Sequence, residues 1–145
     1  MPKWVREAYD EYITRLGSQL KVALTEIEPG SRAGGRTAQS AMEIEAQRLL
    51  AALRKDDYVI ILDEHGAQMT TRELSGWLST RMREGRDMAF LIGGPDGFAP
   101  EVLARADLRW ALSKLTFPHA LARVIVAEQL YRAQSVLANH PYHRD

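Results

Sequence analysis

The sequence predicts an α/β domain built on a mainly parallel sheet flanked by helices, and two observations carry that prediction. "YVIILD" (58–63) and "DMAFLI" (87–92) are continuous apolar runs, as expected of strands covered on both faces. Around them lie stretches with apolar residues at helical spacing, so strand and helix alternate along the chain. The 145 residues fit a single domain spanning 1–145, and a chain of that size buries about 68–70% of its unfolded surface.

The elements follow in order. Trp4, Val5, Ala8, Tyr9, Tyr12, Ile13 and Leu16 form one broad stripe over residues 2–16, with Gly17 as the stop, which predicts a helix. In "QLKVALTEI", Leu20, Val22 and Leu24 alternate, as in a strand. Pro29–Gly35 reads as a flexible loop. Thr37 then caps a helix to about Leu53, with Ala38, Ala41, Met42, Leu49 and Leu53 apolar. After "YVIILD", the residues "DEHG" read as a turn, and Thr70 and Glu73 have the spacing of a capping box. Leu74, Trp77, Leu78 and Met82 make the next helix amphipathic. "DMAFLI" ends in "GGPDG", Pro100 and Glu101 open a short helix, and "LRWALS" reads as a fourth strand. The last helix, 118–137, is apolar on nearly every side: Leu121, Val124, Ile125, Val126, Leu130, Tyr131, Val136 and Leu137. Such a helix must be buried all round, in a core, a membrane or a partner.

Composition removes several functions. Cysteine is absent, which excludes disulfides, thiolate metal sites and cysteine nucleophiles. Arg123 and Glu128 interrupt the best membrane-span candidate, and Lys3, Arg6, Glu7 and Asp10 stand where a signal peptide is apolar. A soluble, cytoplasmic protein is expected. The 19 basic and 19 acidic residues balance, but from Leu103 onward six cations (Arg105, Arg109, Lys114, Arg123, Arg132, Arg144) face three acids. Arg32 and Arg36 add to that excess, which can carry a phosphate footprint.

In a parallel sheet, ligands bind at the C-terminal strand ends, here the end of "YVIILD", the "IGGPDG" loop and "LSKLTFPH". Gly93 and Gly94 would let backbone approach a ligand; the plainer reading is a tight turn before a Pro-started helix. The loop is neither a Walker A loop nor GxGxxG, which disfavours a nucleotide-binding oxidoreductase. His119, at a helix N-terminus, is either a neutral donor or acceptor for substrate or a capping or core histidine. Asp63, Glu64 and His65 read as a polar turn, with Asp63 as its functional candidate, and no metal site is expected. The tail "HPYHRD" holds a rigid Pro141, an aromatic Tyr142 and a His-Arg pair, although charged tails are usually solvated.

"LDEHG", "FLIGGPDGF", "LSKLTFPHALARVIVAEQLYRA" and the terminal "HPYHR" together resemble the small bacterial SPOUT-class methyltransferases. Those enzymes methylate N3 of a pseudouridine in 23S rRNA, on the assembled 70S ribosome. The resemblance runs from Met1-Pro2-Lys3-Trp4 to Arg144. It implies a deep C-terminal trefoil knot, a rare exception among folds, and a homodimer that would cover the second face of the last helix. It implies S-adenosyl-L-methionine as cofactor, contacted by Leu62, Gly93, Leu112, Ser113, Lys114, Leu115, Thr116 and Phe117. It puts Tyr142, His143 and Arg144 on the RNA and catalytic side, with His119 and Arg132 as further candidates. His143 would take the N3 proton, or an arginine would stabilise the N3 anion, while Tyr142 stacks on an unpaired base. Family members usually carry a strand of about ten residues before the Met-Pro-x-Trp segment, so either the start codon is assigned too late or the sheet lacks that first strand. A non-catalytic RNA-binding or ribosome-associated α/β module is the alternative.

Overall fold

The computed structural model describes residues 2–17, 20, 22–26, 37–93 and 97–144, with the side chains of 22–26 and Ala38 left aside. The 29–35 loop, Arg32 and Arg36 lie outside that range. The chain forms two compact units, one of sheet and helix (22–67 and 87–111), the other helical.

In the sheet unit, β1 (Val22–Glu26), β2 (Tyr58–Ala67), β3 (Met88–Ile92) and β4 (Leu108–Trp110) pair in the order β1-β3-β2-β4. Every pairing is parallel, so the α/β expectation holds. β3 is buried along its whole length, as are Val59, Ile60 and Ile61 of β2, which is why both read as unbroken apolar runs. Side chains alternate between faces. Val59, Ile61 and Leu91 join one core cluster with Ala46 and Leu49 of α2 (Ala38–Ala52) and Val102 of α4 (Pro100–Arg105). Phe90 belongs to the alternate set and meets Trp110 edge-on, with ring centroids 6.2 Å apart. The Thr37 hydroxyl accepts from the Ser40 amide at 3.0 Å and caps α2 as expected.

Two boundaries differ from expectation. "DEHG" is not a turn: β2 continues through it to Ala67, where the Ala111 amide donates to the Ala67 carbonyl at 2.9 Å. Its composition misleads because Asp and Gly favour turns, whereas here Gly66 serves a close backbone approach. A Cβ on Gly66 would lie 2.6 Å from the carbonyl carbon and oxygen of Arg109. The second difference is β4, which stops at Trp110 instead of continuing through "ALS". Its start is fixed by Asp107, whose amide donates to the Val59 carbonyl and whose carboxylate accepts from the Val59 amide, both at 2.8 Å.

In the helical unit, α1 (Lys3–Leu16) and α3 (Thr71–Glu84) lie against α5 (His119–Leu137). The Thr70–Glu73 capping box forms as expected, and Gly85, in the left-handed conformation, ends α3. Buried Ala122, Val126, Ala127, Leu130 and Ala133 give α5 a stripe narrow enough for close helix packing. The stripe expected on α1 is partly corrected: Val5 and Leu16 are buried, but Trp4 is 56% exposed. α5 is likewise not buried all round within one chain. Leu121 is 37% and Leu137 40% exposed. No helix among the described residues is long and apolar enough to cross a membrane.

Candidate active site

Strand order reverses between β2 and β3, so their C-terminal ends flank the crevice where such sheets bind ligands. Leu62 sits in register with Ile92 on one side and Trp110 on the other. Leu62 and Gly93 are therefore brought to adjacent strand ends. The missing side chain of Gly93 has a specific occupant: a Cβ there would meet the far edge of the Phe98 ring at 2.9 Å. The glycine thus admits an aromatic ring to the strand end, a use that neither a turn nor a ligand loop anticipates.

Leu112–Phe117 forms neither helix nor strand, so its amides and carbonyls are not committed to a regular ladder. The Ser113 hydroxyl accepts from the Leu115 amide at 3.0 Å, shaping the bend, and Leu115 is 71% exposed. Within the sheet unit, the apolar strand end and its aromatic wall suit a flat heterocycle.

The tail is ordered against α5. After Leu137 the Asn139 amide donates to Val136 O (3.2 Å) and the His140 amide to Ser135 O (2.8 Å). With Asn139 at φ 56, this is a Schellman turn that reverses the chain. Pro141 follows, and Tyr142 folds back onto the helix. Its ring lies 4.6 Å from that of Tyr131 and 4.7 Å beneath the Arg132 guanidinium. Its hydroxyl donates to Glu128 Oε1 at 3.1 Å. The same oxygen accepts from Arg132 Nε at 2.8 Å and forms an ion pair with Nη2 at 2.6 Å. Arg132 Nη1 lies 3.3 Å from His143 Nδ1. Beyond Glu128, Oε2 accepts from Gln129 Nε2 at 2.8 Å, and Gln129 Oε1 accepts from the Thr71 hydroxyl at 2.9 Å. Burial, the hydrogen bond with Tyr12 and the negative charge of Glu128 push the Tyr142 phenol well above its ordinary value.

Arg132, Tyr142 and His143 thus come together, and the bland reading of a solvated tail does not hold for them. Arg144 is exposed beside them. His119 is not part of this group: it opens α5, about 20 Å along the axis from Arg132 at 1.5 Å rise per residue. Asp63 accepts the His65 amide at 3.0 Å, a local contact within β2. Sequence reading missed Glu128, Gln129 and Tyr12. The signal available was Asn139 just past an apolar helix, a helix-end residue that turns the chain back.

A family described as "Predicted SPOUT methyltransferase" matches residues 1–143. The chain belongs to the SPOUT methyltransferase family. Among its relatives, the "Ribosomal RNA large subunit methyltransferase H" of Thiobacillus denitrificans is 51% identical over 145 residues, covering 100% of this chain and 93% of the relative. The protein of that name from Stenotrophomonas maltophilia (strain K279a) is 51% identical over 143 residues, covering 99% and 92%. That of Paraburkholderia phymatum is 48% identical over 144 residues, covering 99% and 92%. The family read from "FLIGGPDGF" and "HPYHR" is borne out, and the SPOUT parallel sheet with it.

Proposed function

We propose that this SPOUT protein uses S-adenosylmethionine to methylate N3 of a pseudouridine in 23S rRNA, on assembled ribosomes in the cytoplasm. The observation that carries this reading is the docked Tyr142–His143 tail in a chain whose full-length relatives are named large-subunit rRNA methyltransferases. The residues assigned to the cofactor are Leu62, Gly93 and Leu112–Phe117, supported by their place at or just beyond strand ends. Its contribution, once bound, is an electrophilic methyl on sulfonium sulfur.

The chain's own part is orientation and charge. In-line approach of N3 to the methyl demands a fixed base, and Tyr142 offers a ring face for it. Arginine has no acceptor, so at the Arg132–His143 contact Nδ1 must be the acceptor and the ring carries its proton on Nε2. Between the two roles expected of the tail, this favours stabilising the N3 anion. Nε2–H and the Arg144 guanidinium donate toward the carbonyl oxygens beside N3, and the N3 proton leaves to solvent.

The single domain over 1–145, the trefoil knot and a homodimer belong to the same proposal. The dimer is supported by Leu121, Val124 and Ile125, which stay partly open on α5. The test is methyl transfer to ribosomes from a methyl-deficient strain and from wild type. One methyl per ribosome on the former and none on the latter is expected. Ribosome binding without transfer would favour a non-catalytic module, and calorimetry showing affinity for NADH but not S-adenosylmethionine would refute the cofactor.

A further inference from the structure

We infer that Glu128 is the positioning residue of the tail, fixing the His143 imidazole through Arg132 and holding Tyr142 directly. The inference rests on the tail reading above and names what keeps that tail in order.

One carboxylate oxygen, Glu128 Oε1, accepts hydrogen bonds from Arg132 Nε at 2.8 Å and from the Tyr142 hydroxyl at 3.1 Å, and pairs with Arg132 Nη2 at 2.6 Å. The Nε hydrogen bond and the Nη2 ion-pair contact lock the plane of the guanidinium, because its nitrogens are rigidly spaced around one carbon. A locked guanidinium aims the remaining Nη1 at His143 Nδ1, 3.3 Å away. Nη1 can only donate, so the contact selects the Nε2–H tautomer and sets the ring's direction. Glu128 never needs to touch the substrate to do this. Its second oxygen is held by Gln129, itself tied to Thr71 at the start of α3, so the carboxylate is oriented from behind. The arrangement has the logic of a carboxylate that orients a histidine, with a guanidinium placed between them.

The test is nitrogen NMR of the imidazole in the intact, uniformly labelled protein, with the His143 signals assigned from His143→Gln. In wild type, Nδ1 should resonate as an unprotonated ring nitrogen and Nε2 as a protonated one. Glu128→Gln keeps the volume but loses the charge that anchors Arg132. Both ring nitrogens should then move toward the average of exchanging tautomers. Turnover on methyl-deficient ribosomes should fall about 10-fold or more, with S-adenosylmethionine affinity unchanged within about two-fold. Arg132→Lys, which keeps charge but not the fork, should move the ring signals the same way and guards against a misfolded first variant. Wild-type ring signals in both folded variants, with His143→Gln impaired, would overturn the inference alone. Moved signals with wild-type turnover would also overturn it. If His143→Gln itself methylates at the wild-type rate, the tail reading falls, and the catalytic meaning of Glu128 falls with it.

Discussion

Gly66 and Gly93 both stand at strand ends, yet their replacements should behave differently. A Cβ on Gly66 meets backbone, at 2.6 Å from Arg109 and 2.8 Å from the Trp110 amide nitrogen. Backbone held in a sheet cannot swing aside, so Gly66→Ala should cost at least about 2 kcal/mol. Urea unfolding checks it, and a wild-type midpoint would contradict the close approach. At Gly93 the neighbour is the far edge of the Phe98 ring, which can turn. Gly93→Val should therefore fold while abolishing cofactor binding, and unaltered calorimetric affinity would refute the strand-end assignment. For Tyr142, burial, the Tyr12 hydrogen bond and the Glu128 charge raise the phenol above its ordinary 10.0. The sign follows: its stabilisation is complete below pH 10 and is lost as pH rises through the higher folded value. In ultraviolet titration, Tyr142→Phe should leave the absorbance change near pH 10 unchanged; a phenol missing from that step would contradict the burial.

The helix start of α3 shows how far local sequence reaches. Thr70 accepts from the Glu73 amide at 3.1 Å and Glu73 accepts from the Thr70 amide at 3.0 Å, as the spacing alone implied. Thr70→Ala should cost about 1 kcal/mol in unfolding free energy. The backbone hydrogen bond from Thr70 lowers the Glu73 pKa, so the cap's charge contribution is present above the ordinary 4.5 and lost as pH falls through the lower folded value. The gap between wild type and Glu73→Gln should close on acidification; a gap that widens would contradict it. Caps, buried runs such as "MAFLI" and the helix stripes are local, which is why they were legible. The extension of β2 was not, because Gly66 answers to Arg109, a residue far along the chain. Nor was the docked tail: its order depends on Glu128 and Arg132, which read from sequence as interruptions of an apolar helix. On α5, at about 100° per residue, Leu121, Val124 and Ile125 share a face with Glu128 and Arg132. The apolar part of that face is what the all-round pattern left without an owner in one chain.

At the scale of the whole molecule, that open face is the support for the proposed homodimer. Obligate interfaces bury about 2,000 Å² or more in total, and Leu121→Glu should split the dimer by placing a charge in it. Light scattering that finds a stable, folded wild-type monomer at micromolar concentration would contradict this. RNA affinity belongs to the same scale: Arg144→Ala should weaken ribosome binding and reduce its salt slope by about one, as loss of one phosphate contact does. The central claim is that the ordered tail faces RNA and acts in methyl transfer, while the cofactor is held elsewhere. Deleting residues 142–145 tests it most directly. S-adenosylmethionine affinity should stay within a few-fold of wild type while methylation of ribosomes falls by at least about 100-fold. Methylation at the wild-type rate by the truncated chain would contradict it and return His119 as the leading catalytic candidate.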